Sequence, residues 1–156
     1  MASDYFLKIE GIDGESNDLA HQKWIELQSW SWGESNAGSG TAGGGLGSGK
    51  VSMQDFHFVS RIDKASPLLM LACATGQHIQ KAQLNVRKAG GKQEIFLEVR
   101  LEDVLVSSFS PNGDAASGRT TLDSLSLNFT KIEWKYTVPA TGEVVTTYFD
   151  NSATTP

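Results

Sequence analysis

The sequence predicts a mostly-β fold: a barrel of bent antiparallel strands, built as two coiled sheets, with one short α-helix and a long glycine-rich loop. Three observations carry that prediction. Apolar residues alternate with polar ones at period two over most of the 156 residues, the pattern of strands buried on one face. Turn-forming residues punctuate the runs at Gly11 to Gly14, Ala89 to Gly91, Pro111 to Asp114 and Pro139 to Gly142. One segment alone, Ala65 to Gly76, gives up alternation for helical spacing.

In the first strand Tyr5, Leu7 and Ile9 oppose Phe6 and Lys8. The next run changes parity near Gln28, where Ile25 and Leu27 give way to Trp30 and Trp32. Ser29 and Ser31 are then left on the opposite face, small and polar. The same slip is read between Leu101 and Val104, and again between Phe129 and Ile132. An extra residue that restores the core face is a β-bulge, and bulges bend strands toward closure. Val51 to Phe58 reads as one strand.

Residues 33–50 stand apart, with glycine at eight of eighteen places. As a free coil the ends of such a loop would lie roughly 20–25 Å apart, at about 5–6 Å × √n. It divides two strands within one domain spanning 1–156, because neither flank could bury a core alone. The helix is signalled by Ser66 as a cap, Pro67 in the first turn and Gly76 past the end. Leu68, Leu71 and Ala72 share one face, widened by Leu69 and Met70, and so apolar a helix is expected to be covered on more than one side, by the barrel and by a neighbouring chain.

Composition narrows the function. A formal net charge of −5 argues against a nucleic-acid partner, which needs concentrated Lys and Arg. One cysteine makes no internal disulfide. No run approaches the roughly 18 apolar residues of a membrane helix, so no membrane insertion is expected. The start of the sequence lacks a basic region followed by an apolar run, so synthesis in the cytoplasm without a cleavable leader is expected.

Motifs that suggest chemistry are thin. Gly44 to Lys50 has P-loop spacing, but Val51 stands where Ser or Thr must hold magnesium, and a strand follows instead of a helix. Gly38, Gly40 and Gly43 match a dinucleotide fingerprint, again without its strand–turn–helix setting. Asp55 and His57 share a strand face, a pairing that a nearby serine would turn into a triad and that surface strands also carry. Cys73 and His78 are too few for a metal site, which needs three or four converging ligands. No catalytic residue, metal or cofactor is expected. Trp30, Trp32 and Trp134 suit core packing, and leave open a β-sandwich module that binds carbohydrate or protein by stacking.

Several blocks, in order, resemble the haemolysin-coregulated protein (Hcp) family. They are Asp4 to Ile9 with Gly14-Glu15-Ser16, Ser29-Trp30-Ser31-Trp32-Gly33 with the glycine-rich loop, and Ile62 to Met70. Val86 to Gly91 and Val104 to Ser108 continue the series. The resemblance implies a structural protein of the bacterial type VI secretion system. Its hexameric rings stack into an inner tube, are ejected with it, and carry small effector toxins in the lumen. The implied partners are other copies, the spike protein, the contractile sheath and the toxins. It implies secretion without a signal peptide, to the extracellular space or a target cell. By similarity Ser29 and Ser31 are expected at the lumen. Gly38, Gly43, Gly44, Gly45 and Leu46, with Gly90, are expected at ring-stacking contacts. Strands with apolar residues on both faces, Phe56 and Phe58 against Val51, Met53 and Val59, are expected to supply contacts within the ring.

Overall fold

The computed structural model describes residues 2–38, 50–117 and 121–154. Its strands are β1 (Ser3–Ile9), β2 (Ile25–Ser31), β3 (Glu34–Asn36), β4 (Val51–Met53) and β5 (Phe56–Arg61). After the helix α1 (Ser66–Thr75) come β6 (Ile79–Lys88), β7 (Ile95–Asn112), β8 (Leu122–Asn128), β9 (Lys131–Thr137) and β10 (Val144–Asp150). The antiparallel order β7-β6-β1-β2-β5-β8 closes on itself through β7–β8, giving a six-stranded barrel, and β9 and β10 extend the sheet from β7. Closure pairs each barrel strand on both sides over part of its length, so alternating side chains fill one interior. Leu7, Ile9, Ile25, Phe56, Phe58, Leu84, Val99, Leu125 and Leu127 make up its centre.

Bends occur where parity slips, by different devices. The β2–β5 register shifts between Leu27 and Ser29, so Gln28 is the expected bulge. Between Leu101 and Val104 no residue is added against β6, since Lys81 opposes Glu102 and Ile79 opposes Val104. Asp103 turns the chain there with φ of 54°. Its carboxylate accepts from Thr130 Oγ1 at 2.8 Å and meets His78 Nε2 at 3.2 Å. Those two bonds, the Thr130 one foremost, hold the Asp103 carboxyl below its ordinary value. The slip at Phe129 is not a bulge within one strand. There β8 ends at Asn128 and β9 begins at Lys131, and β7 pairs with each in turn.

The glycine-rich segment differs from a free loop. Glu34 to Asn36 belong to β3, and Asn36 lies directly opposite Val51 in a separate two-stranded ribbon. Antiparallel partners are only about 5 Å apart, so pairing brings together ends that a coil would leave distant. The expected strand Val51 to Phe58 is two strands, broken at Gln54 and Asp55. The indole of Trp32 donates to the Gln54 carbonyl at 2.8 Å and holds the break in place.

The helix forms as expected, but only part of its expected apolar face is buried. Leu69 and Ala72 are buried with Ala65, while Leu68, Met70 and Leu71 face outward. Nearly every residue of α1 is apolar, so periodicity offers no polar side to fix the orientation. Ser66 does not cap it. Ala65 is the N-cap residue, and the Ser66 hydroxyl instead donates to the buried Asp123 carboxylate and accepts from the Asp63 amide. At the other end Gly76 takes the left-handed conformation, φ 65°, and closes the helix.

Candidate functional site

The outward residues of β2, β5, β8 and the second half of β7 form one continuous face. Across it Ser31 opposes His57, His57 opposes Ser126, and Ser126 opposes Ser108. One step along, Ser29 opposes Val59, Val59 opposes Ser124, and Ser124 opposes Ser110. Inward residues at the same level are Trp30, Phe58, Leu125 and Phe109, which pack the barrel. The sheet thus shows hydroxyls on one side and hydrocarbon on the other. Among these outward residues Glu26, near the start of β2, and Arg61, at the end of β5, carry the fixed charges.

A directed hydrogen-bond chain stiffens the centre. The β7–β8 register shifts between Val106 and Ser108, which brings both Ser107 and Ser108 onto Ser126. Ser107 donates to Asp55 Oδ2 at 2.6 Å. Its one hydrogen thus spent, Ser107 accepts from Ser126 at 2.7 Å, and Ser126 in turn accepts from Ser108 at 2.5 Å. Asn128 donates to the other Asp55 oxygen at 2.9 Å. Asp55 therefore orients Ser107 and Asn128, and it does not make the triad that its spacing with His57 suggested.

The opposite flank has different chemistry. On β7 and β9 Glu98, Arg100 and Glu102 stand directly across from Lys135, Glu133 and Lys131. The three pairs are ionic, at 3.2, 3.8 and 3.8 Å. Exposed pairs like these contribute at most about 1 kcal/mol each, but they make a solvated, charge-laced surface.

A buried polar cluster joins the segment before β2 to β1 and β6. His21 stacks on Phe6 with ring centroids 4.1 Å apart and meets the Trp24 ring edge-on. Its Nδ1–H donates to Asp18 at 2.8 Å, and its Nε2 accepts from the Asn85 amide at 3.0 Å. Arg87 donates to Asp18 at 2.7 Å and to Asp4 at 3.0 Å, lying over the Phe6 ring. The hydrogen bond from His21, then that from Arg87, hold the Asp18 carboxyl at about 2, against the effect of burial. Burial also opposes the Arg87 charge, but Asp18 and Asp4 outweigh it and raise that group. Gly14 lets this segment lie flat, because a Cβ there would sit 2.5 Å from the Trp24 carbonyl.

Ser29 and Ser31 are exposed on the serine face, as their parity required. Gly38 and Gly90 are exposed turn residues with φ of 61° and 83°, one following β3 and the other between β6 and β7. Gly43, Gly44, Gly45 and Leu46 lie outside the described residues. Phe56 and Phe58 are fully inside the barrel, whereas Val51, Met53 and Val59 are half-buried. Trp30, Trp32 and Trp134 pack on one another and on Phe56 and offer no flat stacking platform. Cys73 packs against the core, and His78 is occupied with Asp103. Among the described residues no group of His, Cys, Asp and Glu converges as a metal site.

Sequence reasoning missed Ser108, Ser110, Ser124 and Ser126 as parts of one face with Ser31. Alternate serines beside Leu125 and Leu127 were a signal, but the strands that carry them meet only after folding. It also missed the His21 cluster, whose members come from positions 4, 18, 21, 85 and 87.

Known proteins now place the chain. Residues 6–136 match the family described as "Type VI secretion system effector, Hcp". Protein hcp1 of Pseudomonas aeruginosa is 44% identical over 137 residues, covering 87% of this chain and 84% of that one. The crystal structure of Hcp1 from Salmonella typhimurium superposes with a TM-score of 0.82 at 35% identity, covering 98% and 97% of the two chains. A type VI secretion system effector from Yersinia pestis gives 0.79 at 30% identity, covering 94% and 99%. The barrel with one short helix, the ordered sequence blocks and these relatives agree: the chain belongs to the Hcp family of type VI secretion tube and effector proteins.

Proposed function

We propose that this protein is a tube subunit: rings of about six copies stack into a conduit, leave the cell with it, and carry small protein cargo inside. The observation that carries the proposal is the serine face together with its two unpaired flanks. β1 pairs with β2 only as far as Leu27, and β6 pairs with β7 only as far as Val104. The four-stranded serine sheet is therefore open along β2 at one side and along β7 at the other. Complementary open edges on one subunit join head to tail, and such heterologous contacts close into a ring when the rotation divides the circle. The joined faces make one continuous lining. That lining is hydroxyl-rich and nearly uncharged, so it hydrogen-bonds varied cargo without gripping it through apolar area.

In this reading Ser29 and Ser31 touch cargo, while the β3–β4 ribbon with its glycine-rich segment, and the turn at Gly90, meet the next ring. The charge-laced β7–β9 surface faces outward, toward sheath-like partners, and the spike caps the tube. The chain acts as a structural part and a carrier, not as a catalyst. Export as part of the ejected tube needs no leader sequence of its own.

Light scattering with negative-stain imaging of the purified protein tests the ring. The expected result is a mass of about six chains and annular particles. Ser31→Arg should keep that mass and lose co-purifying cargo, because it adds bulk and charge to the lining alone. A clean monomer at high concentration would remove the lumen and the carrier role together.

A further inference from the structure

Of the three histidines two are committed, His21 to Asp18 and Asn85 and His78 to Asp103. His57 is exposed on the serine face and has no hydrogen-bond partner among the described residues. It stands between Ser31 and Ser126, with Val59 next along β5, and its side chain is longer than any of these. Asp55 comes two residues before it, about 7 Å away at extended spacing. The Asp55 carboxylate lies on the same face, where it accepts from Ser107 and Asn128. A carboxylate has about four lone-pair sites, so roughly half of that accepting capacity is unused. Glu26 and Arg61 adjoin the paired Leu27 and Ser60, toward the other end of the face. Four residues or more from the level of His57, they lie about 13 Å off, beyond a Debye length of about 8–10 Å. β2 offers His57 only Ser29 and Ser31, β8 only Ser124, Ser126 and Asn128, and the far part of β7 only Ser108 and Ser110. Among the described residues of this face, Asp55 is the charge nearest His57.

We infer that Asp55 and His57 form a proton-gated cation site: a lysine or arginine side chain of the cargo bridges the carboxylate and the neutral imidazole, and protonation of His57 expels it. The inference rests on the carrier reading above and names the chemistry of what is carried. A neutral imidazole keeps one lone pair, which accepts from an ammonium or guanidinium. Once protonated, both ring nitrogens donate and the ring is itself a cation, so the same position repels what it held. Histidine is the side chain whose ordinary change of charge falls between about pH 5 and 8. The charge of the whole face moves with it. Glu26 and Asp55 against Arg61 leave one negative charge, and a proton on His57 cancels it. A basic segment is therefore held at neutral pH and released on acidification, by uptake of one proton from solvent. An acidic segment finds no cation to meet at neutral pH.

Titration calorimetry of the full chain with a short peptide of alternating Lys and Ser tests this, beside its Glu-Ser counterpart. The Lys-Ser peptide should bind at about pH 7.5 and weaken at least about tenfold at about pH 5.5, while the Glu-Ser peptide should not bind at neutral pH. His57→Gln keeps an acceptor that does not titrate, so its affinity for the Lys-Ser peptide should be the same at both pH values. Ser31→Arg puts a permanent cation directly opposite His57 and should lose that peptide at both. His57 is exposed, so melting of the subunit should hardly change in His57→Gln. No binding of the Lys-Ser peptide, preference for the Glu-Ser peptide, or equal weakening in the natural protein and His57→Gln would each overturn the inference. Light scattering on the same samples keeps the two readings apart. Rings with any of those results would leave the ring reading standing without this site. A monomer whose Lys-Ser affinity follows His57 would keep the site and remove the ring.

Discussion

Several local interactions converge on Asp18. One oxygen accepts from His21 and the other from Arg87, so a single carboxylate ties the segment before β2 to β6. Its folded value, about 2, lies below its ordinary 3.8. A depressed carboxyl contributes stability that is present above the unfolded value and lost as pH falls through the folded one. The loss should therefore run from about pH 4 down to about pH 2. It should amount to roughly 1–2 kcal/mol after allowance for solvent screening. Urea denaturation across that range checks it: the gap between the natural protein and Asp18→Asn should close as pH drops. Asp63 works with the opposite sign. Burial first, then the charges of Glu15 and Asp123, raise its carboxyl, so its protonation favours the fold. If the gap between natural and Asp18→Asn proteins were constant with pH, the assignment of acid sensitivity to Asp18 would fail.

At the scale of elements, α1 separates two kinds of leucine that sequence treats alike. Leu69 is buried against the barrel, whereas Leu71 faces out. Leu69→Ala should cost about 2–5 kcal/mol in subunit stability, since it opens a cavity in the core. Leu71→Ala should stay within about 0.5 kcal/mol in the single chain. Thermal melts of the two variants under dissociating conditions would show the difference directly. The existence of this helix was legible from Pro67 and Gly76, because backbone constraints act locally. Its orientation was not, since a uniformly apolar helix has no side that the sequence marks. The bulge at Gln28 was legible for the converse reason: Trp30 and Trp32 on one side of the slip, and Ile25 and Leu27 on the other, mark the core face. β10 escaped notice because Val144 to Tyr148 are exposed on both faces, and a strand buried on neither side does not alternate.

The whole molecule has a hydroxyl flank and an ionic flank, separated by the barrel core. Half of that pattern was legible. Ser31 could be placed on a small, polar face by parity alone, since alternation within β2 needs no knowledge of its neighbours. Its extension through His57, Ser126 and Ser108 could not, because register between separate strands is set by packing and bulges. The ladder of Glu98, Arg100 and Glu102 against Lys135, Glu133 and Lys131 was hidden for the same reason. Each strand alone shows only a scatter of charges.

The β3–β4 ribbon is hydrogen-bonded within itself and stands outside the eight-stranded sheet. Because Asn36 and Val51 are direct partners, the fourteen residues between them close a circuit that begins and ends at one spot. The point of closure is thereby fixed whatever the length of chain between the two partners. Doubling its length should lower subunit stability by only about 0.6 kcal/mol, the logarithmic cost of a larger closed loop. Inserting Gly-Ser pairs after Gly38 and following the melting temperature would measure it. A drop of several kcal/mol would mean that the circuit is woven into the fold. A small one would mean that this appendage can be lengthened, shortened or rewritten while the subunit beneath it stays the same.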